Sequence, residues 1–221
     1  STIKLCAITF GTTYLGTEIP DSLSFELLDT YYNLGGRTID TARVYGQANL
    51  ESISQSERVV GEWIAKRNIR DDITLVTKGA HHVPTNPEQS RLSPDDIISD
   101  MNTSLSTLGV DGVDLYFLHR DNMNVCVSTI MDTLHEFVLS GKTKALGASN
   151  WSLERILEAN KYAIENGKTP FSISQIQWSL ANCSKEKWGD ETLEFMTDEL
   201  LTQYAQEKIP VLEFSSQAKG F

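Results

Sequence analysis

Four residues of this chain could together hand a proton to an oxygen, because they stand at comparable places, at or just beyond expected strand ends: Asp40, Tyr45, Lys78 and His119. Asp40 closes the short run Thr38-Ile39-Asp40, and Tyr45 follows five residues later. Lys78 follows the β-branched run Ile73 to Thr77, and His119 follows the apolar run Val113 to Leu118. A phenol ordinarily titrates near pH 10, so by itself it is a poor donor at neutrality. An opposite charge within about 4–6 Å favours its ionised form by roughly one to three pKa units, each about 1.36 kcal/mol. The Lys78 ammonium could supply that charge, and Asp40 would keep the lysine protonated where burial alone would discharge it. His119 could donate a hydrogen bond to a carbonyl oxygen. Together the four suit protonation of an oxygen that becomes an alkoxide.

Each residue also has a plainer reading. A strand-terminal Asp40 could cap a helix or pair with a nearby arginine, and Tyr45 could be a half-buried packing residue. His119-Arg120 could be a structural pair. Lys78 is harder to dismiss, because interiors rarely accept an unpaired lysine. His81-His82 could join His119 and Asp40 around a metal, but a loop beside the pocket is the better reading. The first strand lacks the His-x-His with which metal-dependent barrel hydrolases begin, and no metal is expected. Ser149 has no His and Asp in hydrolase order, which disfavours a serine nucleophile.

The elements that must position these residues alternate along the chain. Strands are expected at Lys4–Phe10, Thr38–Asp40, Ile73–Thr77, Val113–Leu118, Lys144–Gly147, Phe171–Gln177 and Ile209–Phe214. Helices are expected from Pro20-Asp21 to Gly35-Gly36, over Glu57–Lys66, from Ser93-Pro94-Asp95-Asp96 to Gly109, from Val127 to Gly141, from Ser152 through Ala163, and from about Leu193 to Gln206. Ser93 as cap, Pro94 in the first turn and two following acids form a strong helix start. A polar loop with two prolines, His81 to Leu92, separates the third strand from that helix.

Strand–helix units in series indicate a parallel sheet with right-handed crossovers. A barrel is favoured over an open doubly wound sheet, because polar candidates follow almost every strand rather than one switch point. No G-x-G-x-x-G follows the first strand. The fold expected is a (β/α)₈ TIM barrel in one domain over 1–221 that lacks its last strand–helix unit, since seven strands leave edges that eight would close.

The net charge of −11 is spread without an acidic tail, which disfavours nucleic acid or an anionic membrane as partner. No apolar run reaches the ~18 residues of a membrane span, and no signal-peptide pattern follows Ser1. Cys6, Cys126 and Cys183, odd in number and far apart, read as reduced thiols of a cytoplasmic protein.

The stretch Gly35-x-x-x-Ile39-Asp40-Thr41-Ala42-x-x-Tyr45-Gly46 resembles the signature of the aldo-keto reductase family. Thr77-Lys78, Tyr116-Phe117-Leu118-His119-Arg120, Gly147-Ala148-Ser149-Asn150 and Phe214-Ser215-Ser216-Gln217 resemble its later motifs, in the same order. The resemblance implies hydride transfer from a nicotinamide cofactor to an aldehyde or ketone. Tyr45 would be the general acid, Lys78 and Asp40 would tune it, and His119 would orient the carbonyl. Ser149, Asn150 and Gln175 match positions that hold the nicotinamide carboxamide, and Phe214 matches an aromatic position on the nicotinamide face. Gly11, Thr12 and Thr13 match the loop near the cofactor ribose, and Ser215, Ser216 and Gln217 are further expected cofactor contacts.

Tyr14, His81 and Trp151, with Trp178 and Trp188 in other loops, are candidates for shaping the substrate pocket. NADP(H) is the family expectation and NAD(H) the alternative, because the basic motif that grips the 2′-phosphate follows an eighth strand with no counterpart here. A non-catalytic nucleotide-binding or regulatory subunit of the same fold is the second reading, and a metal-dependent barrel hydrolase the third.

Overall fold

The parallel strands form one sheet in strict chain order, the topology of a barrel wall rather than of a doubly wound sheet with a switch point. The computed structural model describes residues 3–49, 52–83, 86, 89–181, 183–218 and 220. The strands are β1 (Phe10–Gly11), β2 (Thr38–Asp40), β3 (Thr74–Gly79), β4 (Val113–Leu118), β5 (Thr143–Ser149), β6 (Phe171–Gln177) and β7 (Val211–Phe214). The helices are α1 (Asp21–Asn33), α2 (Gln55–Arg67), α3 (Pro94–Leu108), α4 (Val127–Leu139), α5 (Leu153–Glu165), the single turn α6 (Lys185–Trp188) and α7 (Asp198–Glu207). A 3₁₀ turn, Arg70–Asp72, precedes β3. Among the described residues no pairing joins β7 to β1, so a seam stays open between them. No helix among these residues is long and apolar enough to cross a membrane.

Local chemistry accounts for the helix ends. Ser54, Ser93, Ser152 and Thr197 each accept a hydrogen bond from the amide three residues on, satisfying a donor that a helix start leaves orphaned. Gly109 ends α3 in the left-handed region (φ 66°), which glycine enters at no steric cost. β2 and β4 are buried throughout and β3, β5 and β6 nearly so, as parallel strands are when side chains fill the barrel on one face and helices cover the other.

Val76, Leu115, Phe117 and Ile173 pack together with Ile3, Leu5, Ala145 and Leu212. A second, larger core cluster includes Ile39, Leu75, Tyr116, Leu118, Leu146 and the helix side chains Trp63, Met101, Met131 and Ile156. Gly147 is required where it stands, because an added Cβ would lie 2.4 Å from the Phe117 ring.

Register then aligns the strand ends. Asp40 pairs with Val76, Lys78 with Phe117, Leu118 with Ala148, and Ser149 with Gln175. The polar residues at the C-terminal ends of five successive strands therefore share one face.

Two sequence expectations need correction, and one element had no expectation. The first strand shrinks from Lys4–Phe10 to Phe10–Gly11. Side chains engage that segment instead: the Cys6 amide donates to Thr38 Oγ1 at 2.8 Å, and the Lys4 carbonyl accepts from Thr74 Oγ1 at 2.9 Å. Ile3 and Leu5 pack against Val76, Leu115, Phe117 and Ile173. The last helix begins at Asp198, not Leu193, because Thr197 caps it and the preceding Phe195 is bridged to Gln177. Leu193 is buried in the loop before it. The short helix α6 was not legible at all. Pro84 and Pro87, the two prolines of the His81–Leu92 loop, and Phe221 lie outside the described residues.

Candidate active site

Lys78 Nζ stands 2.8 Å from each Asp40 carboxylate oxygen, 2.9 Å from the Thr41 carbonyl and 3.3 Å from the Tyr45 hydroxyl. The lysine is 1% exposed and Asp40 7%. Burial pulls the Lys78 pKa down, but Asp40 and Tyr45 outweigh it and hold the amine above its ordinary value, so it is a buried ammonium. Removing its partner would strand that charge.

The loop carrying Tyr45 is pinned from two sides. The Thr41 amide donates to Val76 and the Arg43 amide to Lys78, which extends the β2–β3 ladder past Asp40. Ser54, the cap of α2, donates to the Tyr45 carbonyl at 2.8 Å and the Ala42 carbonyl at 3.1 Å. The phenol is thereby fixed over the lysine rather than left on a free loop.

His119 completes the group. Its backbone amide donates to Gly79 at 2.8 Å, and its ring meets Tyr45 edge-on with centroids 5.8 Å apart. His81 packs against its other side at 4.8 Å. Burial first, then the neighbouring His81, Arg120, Lys78 and His82, hold the His119 pKa well below its usual value. The ring is therefore neutral and carries one N–H. Among the described residues its buried Nδ1 has no hydrogen-bond partner. The tautomer that avoids an orphaned buried donor places the hydrogen on Nε2.

Two connected cavities open beside these residues. One of about 200 Å³ is lined by Tyr45, His119, Arg120, Ser149, Gln175 and Trp188, among others. The other, about 710 Å³, runs along the open seam past Gly11, Thr13, Tyr14, Asp40, Phe214 and Gln217. Thr13, Tyr45, Gln175, Phe214 and Ser215 line both, and Ser216 lines the second. A larger cavity of about 840 Å³ lies at the opposite barrel end, where Asp114 is satisfied by Arg70 at 2.9 Å and Lys144 at 2.6 Å. Size alone would point to that end; the convergent proton-handling groups point to the other.

Asn150 is already engaged: its side-chain amide donates to the His119 carbonyl at 3.3 Å and to Ser149 Oγ at 3.1 Å, and its oxygen accepts from the Glu194 amide at 3.2 Å. It braces the strand ends, leaving the Ser149 hydroxyl hydrogen to donate elsewhere. Gln175 donates to Asp40 at 3.3 Å.

Two of the expected contact residues sit behind the site walls. Thr12 is fully buried, donates to the Asp40 carbonyl at 3.0 Å and lies 2.6 Å from Ser56 Oγ; it lines neither cavity and braces β2 instead. Trp151 lines neither of these two cavities: it is fully buried against Phe171, with its Nε1 donating to the Arg120 carbonyl at 3.1 Å. His81 lines a small crevice of about 10 Å³ and reaches the site through His119. Asp190 and Leu193 line the 200 Å³ cavity and carried no sequence signal, because a loop between a strand and a helix bears no periodicity. Among the described residues no cluster of three His, Cys, Asp or Glu could hold a metal.

A family model described as the Aldo/keto reductase family matches residues 7–221. Norsolorinic acid reductase of Aspergillus flavus is 33% identical over 191 residues, covering 82% of this chain and 47% of that protein. Aryl-alcohol dehydrogenase [NADP(+)] of Phanerodontia chrysosporium is 31% identical over 200 residues, covering 85% of this chain and 50% of that protein. The chain thus spans about half the length of the curated relatives it matches. Among solved structures, an aldo-keto reductase from Klebsiella pneumoniae in complex with NADPH superposes with a TM-score of 0.75 at 24% identity, covering 97% of this chain and 65% of that one. A thermostable aldo-keto reductase bound to the inhibitor epalrestat superposes with a TM-score of 0.78, also at 24% identity, covering 98% and 70% of the two chains. These superpositions establish the (β/α)₈ barrel, here without its last unit.

Proposed function

The chain belongs to the Aldo/keto reductase family, and from that premise we propose that the whole protein is an NADP(H)-dependent reductase of small aldehydes or ketones. The observation that carries the proposal is the contact chain Asp40–Lys78–Tyr45, with the neutral His119 beside the phenol.

A nicotinamide cofactor fits the residues present. Ser149 and Gln175 offer a hydroxyl and an amide, the donor and acceptor types that a carboxamide needs, and Phe214 offers a flat apolar ring. When bound, that cofactor supplies the hydride received by the carbonyl carbon. The chain's own groups manage the oxygen. His119 donates its Nε2–H to the carbonyl oxygen and aligns it. Tyr45 gives that oxygen a proton as charge develops on it. The Lys78 ammonium, 3.3 Å away, stabilises the charge left on the phenol oxygen, and Asp40 keeps the ammonium protonated throughout. Gln175 holds one Asp40 oxygen in place.

The relatives' names make an aromatic aldehyde the first substrate to test and NADP(H) the first cofactor, with NAD(H) second. We place the protein in the cytoplasm, consistent with Cys6, Cys126 and Cys183 all being free thiols, and read residues 1–221 as belonging to one barrel domain. The test is NADPH oxidation by the full-length protein across a panel of aromatic and aliphatic aldehydes. Turnover of at least one aldehyde class supports the reading. Tight NADPH binding without turnover of any carbonyl replaces it with the nucleotide-binding subunit.

A further inference from the structure

Arg120 is 8% exposed, and the proton-handling scheme gives it no task. Its Nε donates to Thr192 Oγ1 at 2.9 Å, one terminal nitrogen to the His119 carbonyl at 2.9 Å, and the other to Asp190 Oδ2 at 3.4 Å. The guanidinium thus ties the end of β4 to a loop some 70 residues further along the chain. Asp190 also accepts from the Thr192 amide at 2.9 Å, which folds the two loop residues into one turn. The same stretch is held from β5, where Asn150 accepts from the Glu194 amide. Behind it, Trp188 meets Phe195 edge-on at 5.8 Å, and Phe195 is bridged to Gln177 of β6.

This loop forms one side of the 200 Å³ cavity. Trp188 at the end of α6 and Asp190 and Leu193 of the loop line it together with Tyr45 and His119. The formal charges there are paired: Arg120 with Asp190, and Lys78 with Asp40. What remains for a substrate is an apolar and aromatic wall whose position depends on the Arg120 hydrogen bonds. Lysine could not replace them, because it lacks the planar fork that reaches three acceptors at fixed angles.

We propose that Arg120 is a positioning residue that fastens the 188–194 loop and so sets the size of carbonyl substrate admitted beside Tyr45, favouring a compact, uncharged, single-ring aldehyde. The proposal rests on the carbonyl-reductase reading for its substrate and on the loop geometry for its mechanism, and the two are tested separately. Full-length wild type, Arg120→Met, Arg120→Lys and Thr192→Val are compared with 4-nitrobenzaldehyde and 2-naphthaldehyde as probes. Amide hydrogen exchange is followed over residues 184–196.

Arg120→Met is expected to raise KM for the single-ring probe about tenfold, with a smaller change in kcat. It should move the two-ring probe much less, so that the preference between them collapses. Arg120→Lys should not restore that preference, and Thr192→Val should reproduce part of the loss. Exchange should quicken in 184–196 and not in β4. A fall in kcat that is equal for both probes at unchanged KM would overturn the proposal, as would unaltered exchange in that loop. If wild type reduces neither probe nor any other aldehyde, the reductase reading fails. The exchange comparison then still decides whether Arg120 holds the loop. If Arg120→Met does not fold, Thr192→Val and Asp190→Asn decide by the same criteria.

Discussion

Thr77 and Lys78 are neighbours on β3, yet their side chains leave the strand on opposite faces and each meets a buried carboxylate. On one face Lys78 holds both oxygens of Asp40 at 2.8 Å. On the other, Thr77 Oγ1 donates to Glu57 Oε1 at 2.6 Å, while Glu57 Oε2 has no partner among the described residues. Asp40 has a cation in direct contact; Glu57 has none bonded to it in the same way. Burial drives the Glu57 pKa up to about 7, against the pull of the Thr77 hydroxyl and of Arg43. An acid that must stay charged to steady an ammonium is built differently from one that fills a polar gap behind the strand. The difference is the partner, since both are buried.

Breaking the Asp40 pair should have the largest effect. Asp40→Ala leaves the Lys78 ammonium buried without its counter-ion, which costs roughly 3–5 kcal/mol. Urea denaturation should register that loss, and turnover should fall by about two orders of magnitude or more. A variant of wild-type stability and activity would mean that Lys78 finds another anion.

Glu57→Gln should act in the opposite direction and only over a defined pH range. A carboxyl whose folded pKa lies above its unfolded value favours folding when protonated. Wild-type stability should therefore fall as pH rises from about 4.5 through about 7, by on the order of 3 kcal/mol. The glutamine keeps the acceptor for Thr77, and its unfolding midpoint should be flatter over that range and higher than wild type above pH 7. Parallel pH profiles for the two proteins would remove Glu57 as the titrating group.

The smallest effect should come from Thr77→Val, which deletes a single buried hydrogen bond for about 1–3 kcal/mol. Because it also takes away the hydroxyl that donates to Glu57 Oε1, it should move the upper end of the wild-type pH transition further upward. Turnover should change far less than for Asp40→Ala, since Thr77 faces away from the site. A turnover loss as large as that variant's would merge the two faces into one functional unit.

What could be read from the sequence follows the range of the forces involved. The start of α3 at Ser93-Pro94 was legible because capping is decided within a few residues. Asp40, Lys78 and His119 were legible as a group because strand ends share a barrel face, and the structure brings them together with Tyr45. Lys4–Phe10 misled because its apolar character suits a barrel floor as well as a strand. The loop position of Trp151 is readable from the sequence, while its burial against Phe171 is a tertiary fact. The burial of Thr12 is a tertiary fact of the same kind. The Arg120–Thr192 tie joins residues too far apart in the chain for any pattern to reveal. The cofactor contacts expected from the family resemblance have no counterpart in any spacing pattern of the chain.

The most direct measurement is single-turnover reduction of an aromatic aldehyde by full-length Tyr45→Phe at saturating NADPH, with cofactor binding measured on the same sample. A loss of about 10²–10⁴-fold in the rate, with NADPH bound as tightly as in wild type, is the result expected if the phenol over Lys78 delivers the proton. Reduction at the wild-type rate would contradict it and leave Lys78 and Asp40 as a structural pair.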